Sequence, residues 1–406
     1  DAACDQYHRY KEDVQIMKEM GMKAYRFSLS WARIMPEGTG AVNEKGLEYY
    51  DNLINELLDN GIEPFVTLYH WDLPYALHLQ GGWMNPNSPS WFYEYAKVVA
   101  EHFSDRVKNF FTINEPQCVV GLGYQTGEHA PGLKVGPSDY FRIWHNVLKA
   151  HGRAVEALRE FSKQPVKISM APCGALYVPE TNKPEDIEAA RKANFSLPEN
   201  SIGACSWDVA LCCDPVYLGQ YPEDILKEFG QFFPKVTDAD MKLISQPLDF
   251  YGQNIYNAVT VRAGEDGKAV RVARYDGFPQ TAIGWPVTPE VLYWAPKFMQ
   301  ERYKKPFMIT ENGMASHDWV GVDGKVHDQA RVDFMARYLG AYKRAAEDGV
   351  DLAGYFAWSV MDNFEWAYGY SQRFGLVYTD YNTQKRTWKD SAYFYKNIIE
   401  TNGENL

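Results

Sequence analysis

Apolar stretches of strand character alternate with amphipathic helical stretches along the whole chain. The predicted strands are 24–29, 64–69, 107–113, 166–171, 248–255, 307–310 and 352–357. The predicted helices are 5–20, 43–60, 89–103, 140–161, 289–303, 328–348 and 389–399. Repetition of strand, helix and strand predicts a parallel sheet with helical crossovers. Because no linker interrupts this pattern, residues 1–406 are predicted to form one domain.

The order of these elements favours an α/β fold, a (β/α)8 TIM barrel that lacks its first strand. The first predicted element is the helix at 5–20, and seven strands follow it, whereas a closed barrel of this type has eight. An open seven-stranded sheet is the alternative. Segments 173–247 and 258–280 are expected to be loop insertions on the barrel, the second with the character of a β-hairpin.

Composition and charge narrow the classes of function. Hydrophobic residues make up 46% of the chain and charged residues 23%, as in a folded globular protein. The formal net charge of −12 argues against nucleic acid or an anionic membrane surface as a partner. No apolar run approaches a membrane-spanning length. The aromatic content of 15% suits a neutral sugar, since Trp and Tyr offer flat apolar faces to a pyranose ring.

Cysteine usage predicts a reducing, cytoplasmic location. The six cysteines are few for 406 residues, and the vicinal pair 212–213 has poor disulfide geometry. Neither a CxxC nor an HExxH pattern occurs, so the sequence predicts no metal ion and no other cofactor. The glycines of "GLGYQTG" lack the spacing of a dinucleotide-binding loop. Because the natural start of the protein is expected to lie upstream, a signal peptide cannot be judged from these residues.

Polar and aromatic residues cluster at the ends of the predicted strands. In a parallel barrel all of these ends open on one face, where active sites are built. The residues concerned are Arg26, His70, Asn114, Glu115, Asn254, Tyr256, Glu311, Trp358, Glu365 and Trp366. Taken singly, each has an ordinary explanation, such as a surface carboxylate, a buried ion-pair partner or a core tryptophan. Together they indicate a binding and catalytic face.

Glu115 and Glu311 form the most informative pair on this face. Retaining glycoside hydrolysis needs two carboxyl groups roughly 5–5.5 Å apart, one as nucleophile and one as proton donor. Arg26 and the Tyr256 hydroxyl could keep Glu311 ionised as the nucleophile. Repulsion from ionised Glu311 would raise the pKa of Glu115, as a proton donor requires. Asn114 is placed to bond a sugar hydroxyl beside the reacting carbon.

Five segments carry a resemblance to a known family: "YRFSLSWARI", "YHWDLP", "TINEP", "ITENG" and "WSVMDNFEW". In this order, over nearly the whole chain, they resemble the family 1 glycoside hydrolases, the retaining β-glucosidases. The resemblance implies that Glu115 is the acid/base and Glu311 the nucleophile, supported by Arg26, Tyr256 and Asn254. It also implies a set of sugar-binding residues: His70, Asn114, Tyr256, Trp358, Glu365 and Trp366. Trp285 in "AIGW" resembles a platform for the leaving group.

The chain departs from the family pattern in two places. A sugar-binding glutamine, in a "QIEG"-like segment on the family's first strand, is absent, so we expect a truncated N-terminus. If the barrel is instead incomplete in the natural protein, impaired sugar binding or homo-oligomerisation by edge pairing is expected. At the second place, Ile255 replaces the first of two adjacent tyrosines.

The function predicted is release of terminal, non-reducing β-D-glucosyl residues from β-glucosides and cello-oligosaccharides by double displacement. Glu365 would repel a sugar phosphate, which argues against the relatives that act on 6-phosphorylated sugars. Thioglucosidase relatives carry Gln in place of the acid/base Glu, and since Glu115 is present here, an O-glycosidase is favoured. The sequence leaves open whether β-D-galactosyl or β-D-fucosyl residues are also released. The alternative is a catalytically impaired sugar-binding protein.

Overall fold

The computed structural model describes residues 2–197 and 199–406. The strands are β1 (Ala24–Ser28), β2 (Glu63–Tyr69), β3 (Asn109–Asn114), β4 (Lys167–Ala171), β5 (Tyr177–Pro179), β6 (Tyr251–Asn254), β7 (Val259–Ala263), β8 (Ala269–Arg271), β9 (Phe307–Asn312), β10 (Leu352–Ala357), β11 (Val377–Thr379) and β12 (Arg386–Trp388). The helices are α1 (Gln6–Glu19), α2 (Trp31–Ile34), α3 (Glu44–Asp59), α4 (Tyr75–Leu79), α5 (Ser88–Phe103), α6 (Pro116–Val120), α7 (Pro137–Phe161), α8 (Pro184–Ala193), α9 (Ile202–Ser206), α10 (Val209–Tyr217), α11 (Glu223–Phe229), α12 (Asp238–Ile244), α13 (Val291–Tyr303), α14 (Gln329–Glu347) and α15 (Asp390–Glu400).

Seven parallel strands form the wall of a (β/α)8-type barrel, as predicted. One sheet has the order β1-β2-β3-β4, and a second has the order β6-β9-β10. The backbone N–H groups of Asp249 and Asn254 donate to the carbonyls of Ile168 and Pro172, at 3.0 and 2.9 Å, and so join β4 to β6. The seven strands therefore follow one another around the wall in chain order.

The wall is open between its first and last strands. Within residues 2–197 and 199–406, no backbone hydrogen bond joins β1 to β10. A cavity of about 840 Å³ lies between these two strands and the flanking helices α1 and α15. It extends as far as Arg26 and Trp358, so the open side reaches the face on which the strands end.

Burial differs sharply around the wall. Every residue of β3 and β9 is buried, which suits apolar, β-branched and aromatic runs such as Phe-Phe-Thr-Ile in β3. In β10, by contrast, every residue keeps some exposure. The central strands are thus fixed by packing on both faces, whereas β10 borders the cavity.

Helices cover the outside of the wall, and the seven predicted helices are all present within a few residues of their expected bounds. Helix α3 shows why they form, since its apolar residues recur at helical spacing on one buried face: Leu47, Tyr50, Leu53, Ile54 and Leu57. None of the helices in the described ranges combines the length and the apolar composition needed to cross a bilayer.

One predicted strand, 248–255, is shorter in the structure, where β6 begins at Tyr251. The Asp249 carboxylate accepts hydrogen bonds from the Ile168 N–H at 2.7 Å and from Arg159 at 2.6 Å. This side chain takes the place of a regular ladder contact, so the regular strand starts later. Sequence periodicity does not reveal such a substitution of side chain for backbone.

The two predicted insertions meet each other. Segment 258–280 contains the expected hairpin, with β7 and β8 antiparallel. Segment 173–247 folds mostly into helices α8 to α12, but its strand β5 pairs in parallel with β7. The insertions therefore share a small three-stranded sheet beside the barrel mouth.

Candidate active site

The predicted site residues come together at the carboxyl ends of the wall strands. Arg26 lies within β1, Asn114 and Asn254 end β3 and β6, and Glu311 is the penultimate residue of β9. His70, Glu115 and Trp358 directly follow β2, β3 and β10, and Tyr256 comes two residues after β6.

Glu311 accepts one hydrogen bond at each carboxylate oxygen. Arg26 Nη1 lies 2.7 Å from Oε1, and the Tyr256 hydroxyl donates to Oε2 at 2.7 Å. The Glu311–Arg26 ion pair is almost fully buried, with side-chain exposures of 6% and 5%. Burial and the negative charge of Glu311 raise the pKa of Tyr256 well above its usual range, so this hydroxyl keeps the proton it donates. Both contacts are charge-assisted and suit an anionic carboxylate.

Glu115 occupies a different environment, with neutral donors only. Asn254 Nδ2 donates to Oε1 at 2.9 Å, and the Cys118 thiol donates to Oε2 at 3.2 Å. Burial, followed by the negative charge of Glu311, raises the pKa of Glu115 to about 7. The hydrogen bonds from Asn254 and Cys118 oppose this rise, because they stabilise the charged form. Glu115 can therefore hold a proton near neutral pH.

The backbone fixes where Glu115 points. Its φ is 44°, in the left-handed region that non-glycine residues seldom adopt. Its N–H donates to the Ala171 carbonyl at 2.8 Å, and Pro116 then begins α6. A strained backbone conformation held by neighbouring structure is characteristic of functional positions. Here it ends β3 and turns the carboxyl group toward the barrel mouth.

A network of amides connects the two carboxyl groups. Thr310 Oγ1 donates to Asn254 Oδ1 at 2.6 Å, which directs Asn254 Nδ2 toward Glu115 and toward Asn114 Oδ1. Arg26 Nη2 also donates to Asn114 Oδ1, at 2.6 Å. Asn254 lies opposite Glu311 on the neighbouring strand and donates to Glu115. Its side-chain amide therefore lies between the carboxyl group of Glu115 and the ion-paired carboxylate of Glu311.

His70 continues this network toward the open part of the site. Asn114 Nδ2 lies 3.2 Å from His70 Nε2, and since Asn114 Oδ1 already accepts two donors, Nε2 is the acceptor here. Burial, with the positive charge of Arg26, lowers the pKa of His70 to about 3. His70 is therefore neutral, and its Nδ1–H is the ring donor.

Aromatic rings line the same pocket. The His70 ring is stacked against both Trp358 and Trp366, and its centroid lies 6.0 Å from the centroid of each. Trp71 contacts Trp366 at 4.6 Å, and its Nε1 donates to the Asn114 carbonyl at 2.9 Å. Such flat surfaces suit the apolar face of a sugar ring.

Glu365 follows β10 on a separate loop. Its Oε2 is buried and has no hydrogen-bond partner, although a buried carboxyl oxygen normally has one. Burial, followed by the charge of Glu311, raises the pKa of Glu365 to about 7. An unpaired buried oxygen next to stacked aromatic rings is suited to a polar group of a bound ligand.

Buried charges hold this loop in place. Asp362 accepts from Arg373 at 2.6 Å and from Lys389 at 2.8 Å, and Lys389 also pairs with Asp318 at 2.6 Å. Gly313 directly follows β9, and Trp358 is the first residue of the loop after β10. A Cβ on Gly313 would lie 1.8 Å from the Trp358 carbonyl. Only glycine fits there, so "ENG" in the sequence reflects the close approach of the β10 loop to β9.

Trp285 lies at the rim, half-buried. Its ring centroid is 4.9 Å from that of Tyr256 and 6.1 Å from that of Phe374. The structure thus brings the predicted site residues together, with Trp285 at the periphery. Asn254 was predicted to support Glu311, but its side chain donates to Glu115 instead.

Sequence reasoning missed two contacts to the central groups. Cys118 was not singled out, although its position three residues after Glu115, in the first turn of α6, places both side chains on one face. Trp71, which follows His70 in "YHWDLP", was not among the predicted site residues, although it contacts Trp366 and the Asn114 carbonyl. Together with Cys173, Glu115 and Cys118 form the one group of three possible metal-ligating side chains found among the described residues.

Comparisons with known proteins identify the family of the chain. Residues 1–404 match the model of glycosyl hydrolase family 1. Beta-glucosidase A of Thermotoga maritima is 47% identical over 99% of this chain and 88% of its own length. The 1,4-beta-D-glucan glucohydrolase of Thermotoga neapolitana is 46% identical over the same shares. The solved structure of the Thermotoga maritima family 1 β-glucosidase with isofagomine lactam superposes with a TM-score of 0.88, at 46% identity over 99% of this chain and 88% of that one. The chain is therefore a member of glycosyl hydrolase family 1.

Proposed function

We propose that the chain is a retaining β-glucosidase that releases terminal, non-reducing β-D-glucosyl residues by double displacement. The observation that carries the proposal is the contrast between the two carboxyl groups. Glu311 is paired with a buried cation and a hydroxyl, whereas Glu115 has neutral donors and a pKa raised to about 7. These are the opposite protonation states that retaining hydrolysis requires of its two carboxyl groups.

In the first step Glu311 attacks the anomeric carbon while Glu115 gives its proton to the glycosidic oxygen. The carbon–oxygen bond to the leaving group breaks, and a covalent glycosyl ester forms on Glu311. Esterification removes the negative charge of Glu311, which is one of the two causes that hold the pKa of Glu115 up. Glu115 then takes a proton from water as the water oxygen attacks the same carbon; the ester bond to Glu311 breaks, the Glu311 carboxylate leaves, and the original configuration is restored.

Substrate binding is assigned to the residues around these two groups. Neutral His70 donates through Nδ1–H and Asn114 contacts the hydroxyl beside the reacting carbon, while Trp358 and Trp366 support the ring. Glu365 accepts from outer hydroxyls through its unpaired oxygen. Trp285, which packs on Tyr256 at the rim, is assigned to the leaving group. A site built to bond hydroxyls discriminates strongly, because a missing hydroxyl leaves buried polar atoms unpaired.

The substrate class proposed is β-glucosides and cello-oligosaccharides. The names of the two Thermotoga relatives, a β-glucosidase and a 1,4-β-D-glucan glucohydrolase, support it. Galactosyl and fucosyl residues differ from glucosyl at hydroxyl positions that Glu365 and His70 would contact. A panel of aryl β-glycosides that differ only in the sugar therefore measures the preference directly, with the glucoside expected to react fastest.

The roles of the two carboxyl groups are tested by chemical rescue. Glu311→Ala is expected to abolish hydrolysis of an aryl β-glucoside, and added azide is expected to restore turnover with formation of the α-glucosyl azide. Glu115→Ala, assayed with a dinitrophenyl leaving group that needs no proton, is expected to give the β-glucosyl azide. If the two products are exchanged, the assignments are reversed. If the unaltered protein binds sugar but turns over no aryl glycoside, a silent sugar-binding protein replaces the enzyme.

The proposal also covers the domain organisation, the cellular location and the oligomeric state of the protein. Residues 1–406 are proposed to act as one catalytic domain. All six cysteines are free thiols, which supports a reducing, cytoplasmic location and is tested by cell fractionation. Homo-oligomerisation is tested by light scattering, with a monomer as the contradicting result.

A further inference from the structure

Two thiols lie beside the proposed proton donor. The Cys118 Sγ is 3.2 Å from Glu115 Oε2 and 3.9 Å from the Cys173 Sγ. Cys118 is in the first turn of α6 and Cys173 follows β4, so two different elements supply them. The three residues are between 7% and 9% exposed, and their ligand atoms all lie within 4.8 Å of one another.

These distances match the edges of a metal coordination tetrahedron. With zinc–sulfur bonds of about 2.3 Å and zinc–oxygen bonds of about 2.1 Å, a tetrahedral site has ligand–ligand distances of about 3.8 Å between sulfurs and about 3.6 Å between sulfur and oxygen. The observed values of 3.9 Å and 3.2 Å differ from these by a few tenths of an ångström. An ion could therefore enter with small side-chain rotations.

The surroundings also resemble those of a metal site. Gln117 Oε1 lies 3.3 Å from the Cys173 backbone nitrogen and 3.9 Å from its Sγ, and so holds the Cys173 loop from outside the group. Partners of this outer kind orient ligands and influence affinity. Two sulfurs and one carboxylate oxygen favour a thiophilic ion such as Zn²⁺ or Cd²⁺ over Mg²⁺ or Ca²⁺, which prefer oxygen.

We propose that Glu115, Cys118 and Cys173 form a binding site for a thiophilic divalent cation, and that the bound ion inhibits the enzyme. The ion would take the carboxylate oxygen that otherwise carries the catalytic proton, leaving a fourth position for water or an incoming hydroxyl. Binding itself depends only on the three side chains. The inhibition rests on the proposed role of Glu115.

The binding claim is tested spectroscopically on the full chain, prepared with a thiol reductant that is then removed under anaerobic conditions. Titration with Co²⁺ is expected to produce one equivalent of a sulfur-to-metal charge-transfer band, and competing Zn²⁺ is expected to remove it. Cys173→Ser should weaken Zn²⁺ binding by more than about a hundredfold, since changes to outer partners alone cost about 10- to 100-fold. The matched control is Cys4→Ser, at a thiol that precedes α1 and is not among the three possible ligands, and it should leave both the band and the affinity unchanged.

The inhibition is tested separately by activity. Zn²⁺ is expected to lower kcat for an aryl β-glucoside in the unaltered protein and in Cys4→Ser, with full recovery on adding a chelator, but not in Cys173→Ser at the same concentration. Absence of the charge-transfer band, or inhibition that persists in Cys173→Ser, would overturn the site. A band without inhibition of an active enzyme would overturn the inhibitory role. Activity loss that a thiol reductant reverses and a chelator does not would identify a Cys118–Cys173 disulfide instead and reject the metal. Because the band needs no turnover, failure of the proposed glucosidase activity would leave the binding test intact.

Discussion

The closed wall and the open side of the barrel are built differently and carry different parts of the site. Glu115 and Glu311 belong to β3 and β9, in which every strand residue is buried. Glu365 and Trp366 belong to the loop after β10. Strand β10 borders the cavity, and each of its residues keeps some exposure. Groups that make and break bonds need placement to within a fraction of an ångström, which tight packing supplies. Glu365 and Trp366 lie on a loop that is held instead by a network of buried charges around Asp362 and Lys389.

Replacement of each glutamate by glutamine separates the two regions most strongly. Glu311→Gln is expected to lower kcat/KM by about 10⁴-fold or more, because it removes the nucleophile. Glu365→Gln is expected to lower it by about 10- to 100-fold, because it weakens hydrogen bonds to bound hydroxyls. Steady-state kinetics with one aryl β-glucoside measures both. Equal losses in the two variants would contradict the division between chemistry on the wall and binding on the open side.

Phenylalanine truncations compare the packing of the two regions. Phe110 in β3 is fully buried, and Phe110→Ala should cost about 3–5 kcal/mol of unfolding free energy through transfer and cavity terms. Phe356 in β10 already lines the cavity, and Phe356→Ala should cost about 1–2 kcal/mol. Urea unfolding followed by circular dichroism measures both variants. A larger loss for Phe356→Ala would show that the open side is as tightly packed as the wall.

The charge network of the open side is tested at Lys389, which is fully buried between Asp318 and Asp362. Lys389→Met leaves two buried carboxylates short of a partner and should cost about 3 kcal/mol. It should also raise KM more than it lowers kcat, since the loop that carries Glu365 loosens. Lys268→Met is the matched control at an 83% exposed lysine and should change stability by less than about 0.5 kcal/mol. If kcat falls and KM stays constant, the network supports the wall rather than the loop.

The smallest expected effect is a shift of the pH profile. Glu115 must be protonated to act as the acid and its pKa is raised to about 7, so kcat/KM should fall as the pH rises through about 7. The Cys118 thiol stabilises the charged form of Glu115, so Cys118→Ala should move this limb to higher pH by about 0.5 units. The measurement is made with a chelator present. Glu365→Gln is the control and should keep the limb, since a limb that disappears in this variant would belong to Glu365, whose pKa is also raised to about 7.

The sequence predicted the wall strands well because their signals are local. Buried parallel strands are short apolar runs, and the segments "TINEP" and "ITENG" place a carboxylate directly at a strand end. The start of β6 was wrong by three residues because Asp249 replaces a ladder contact with a side-chain contact. Periodicity carries no trace of such a contact between residues distant in sequence.

The parts of the site that the sequence did not reveal depend on three-dimensional neighbours. Cys118 and Cys173 are 55 positions apart and share no spacing motif, yet their sulfurs lie 3.9 Å apart. The positive φ of Glu115 and the amide network around Asn254 follow from how β3, β4 and β6 meet. Such features require the register of the strands, which single-sequence reasoning does not supply.

Trapping of the covalent intermediate tests the central claim most directly. An activated glucoside with fluorine in place of the hydroxyl beside the reacting carbon slows both steps, and its good leaving group lets the first step proceed, so that the glycosyl ester accumulates. Peptide mapping by mass spectrometry is expected to find one fluoroglucosyl unit on Glu311, together with loss of activity that returns as the ester hydrolyses. A label on Glu115 or Glu365, or inactivation without any covalent label, would contradict the assignment of Glu311 as the nucleophile.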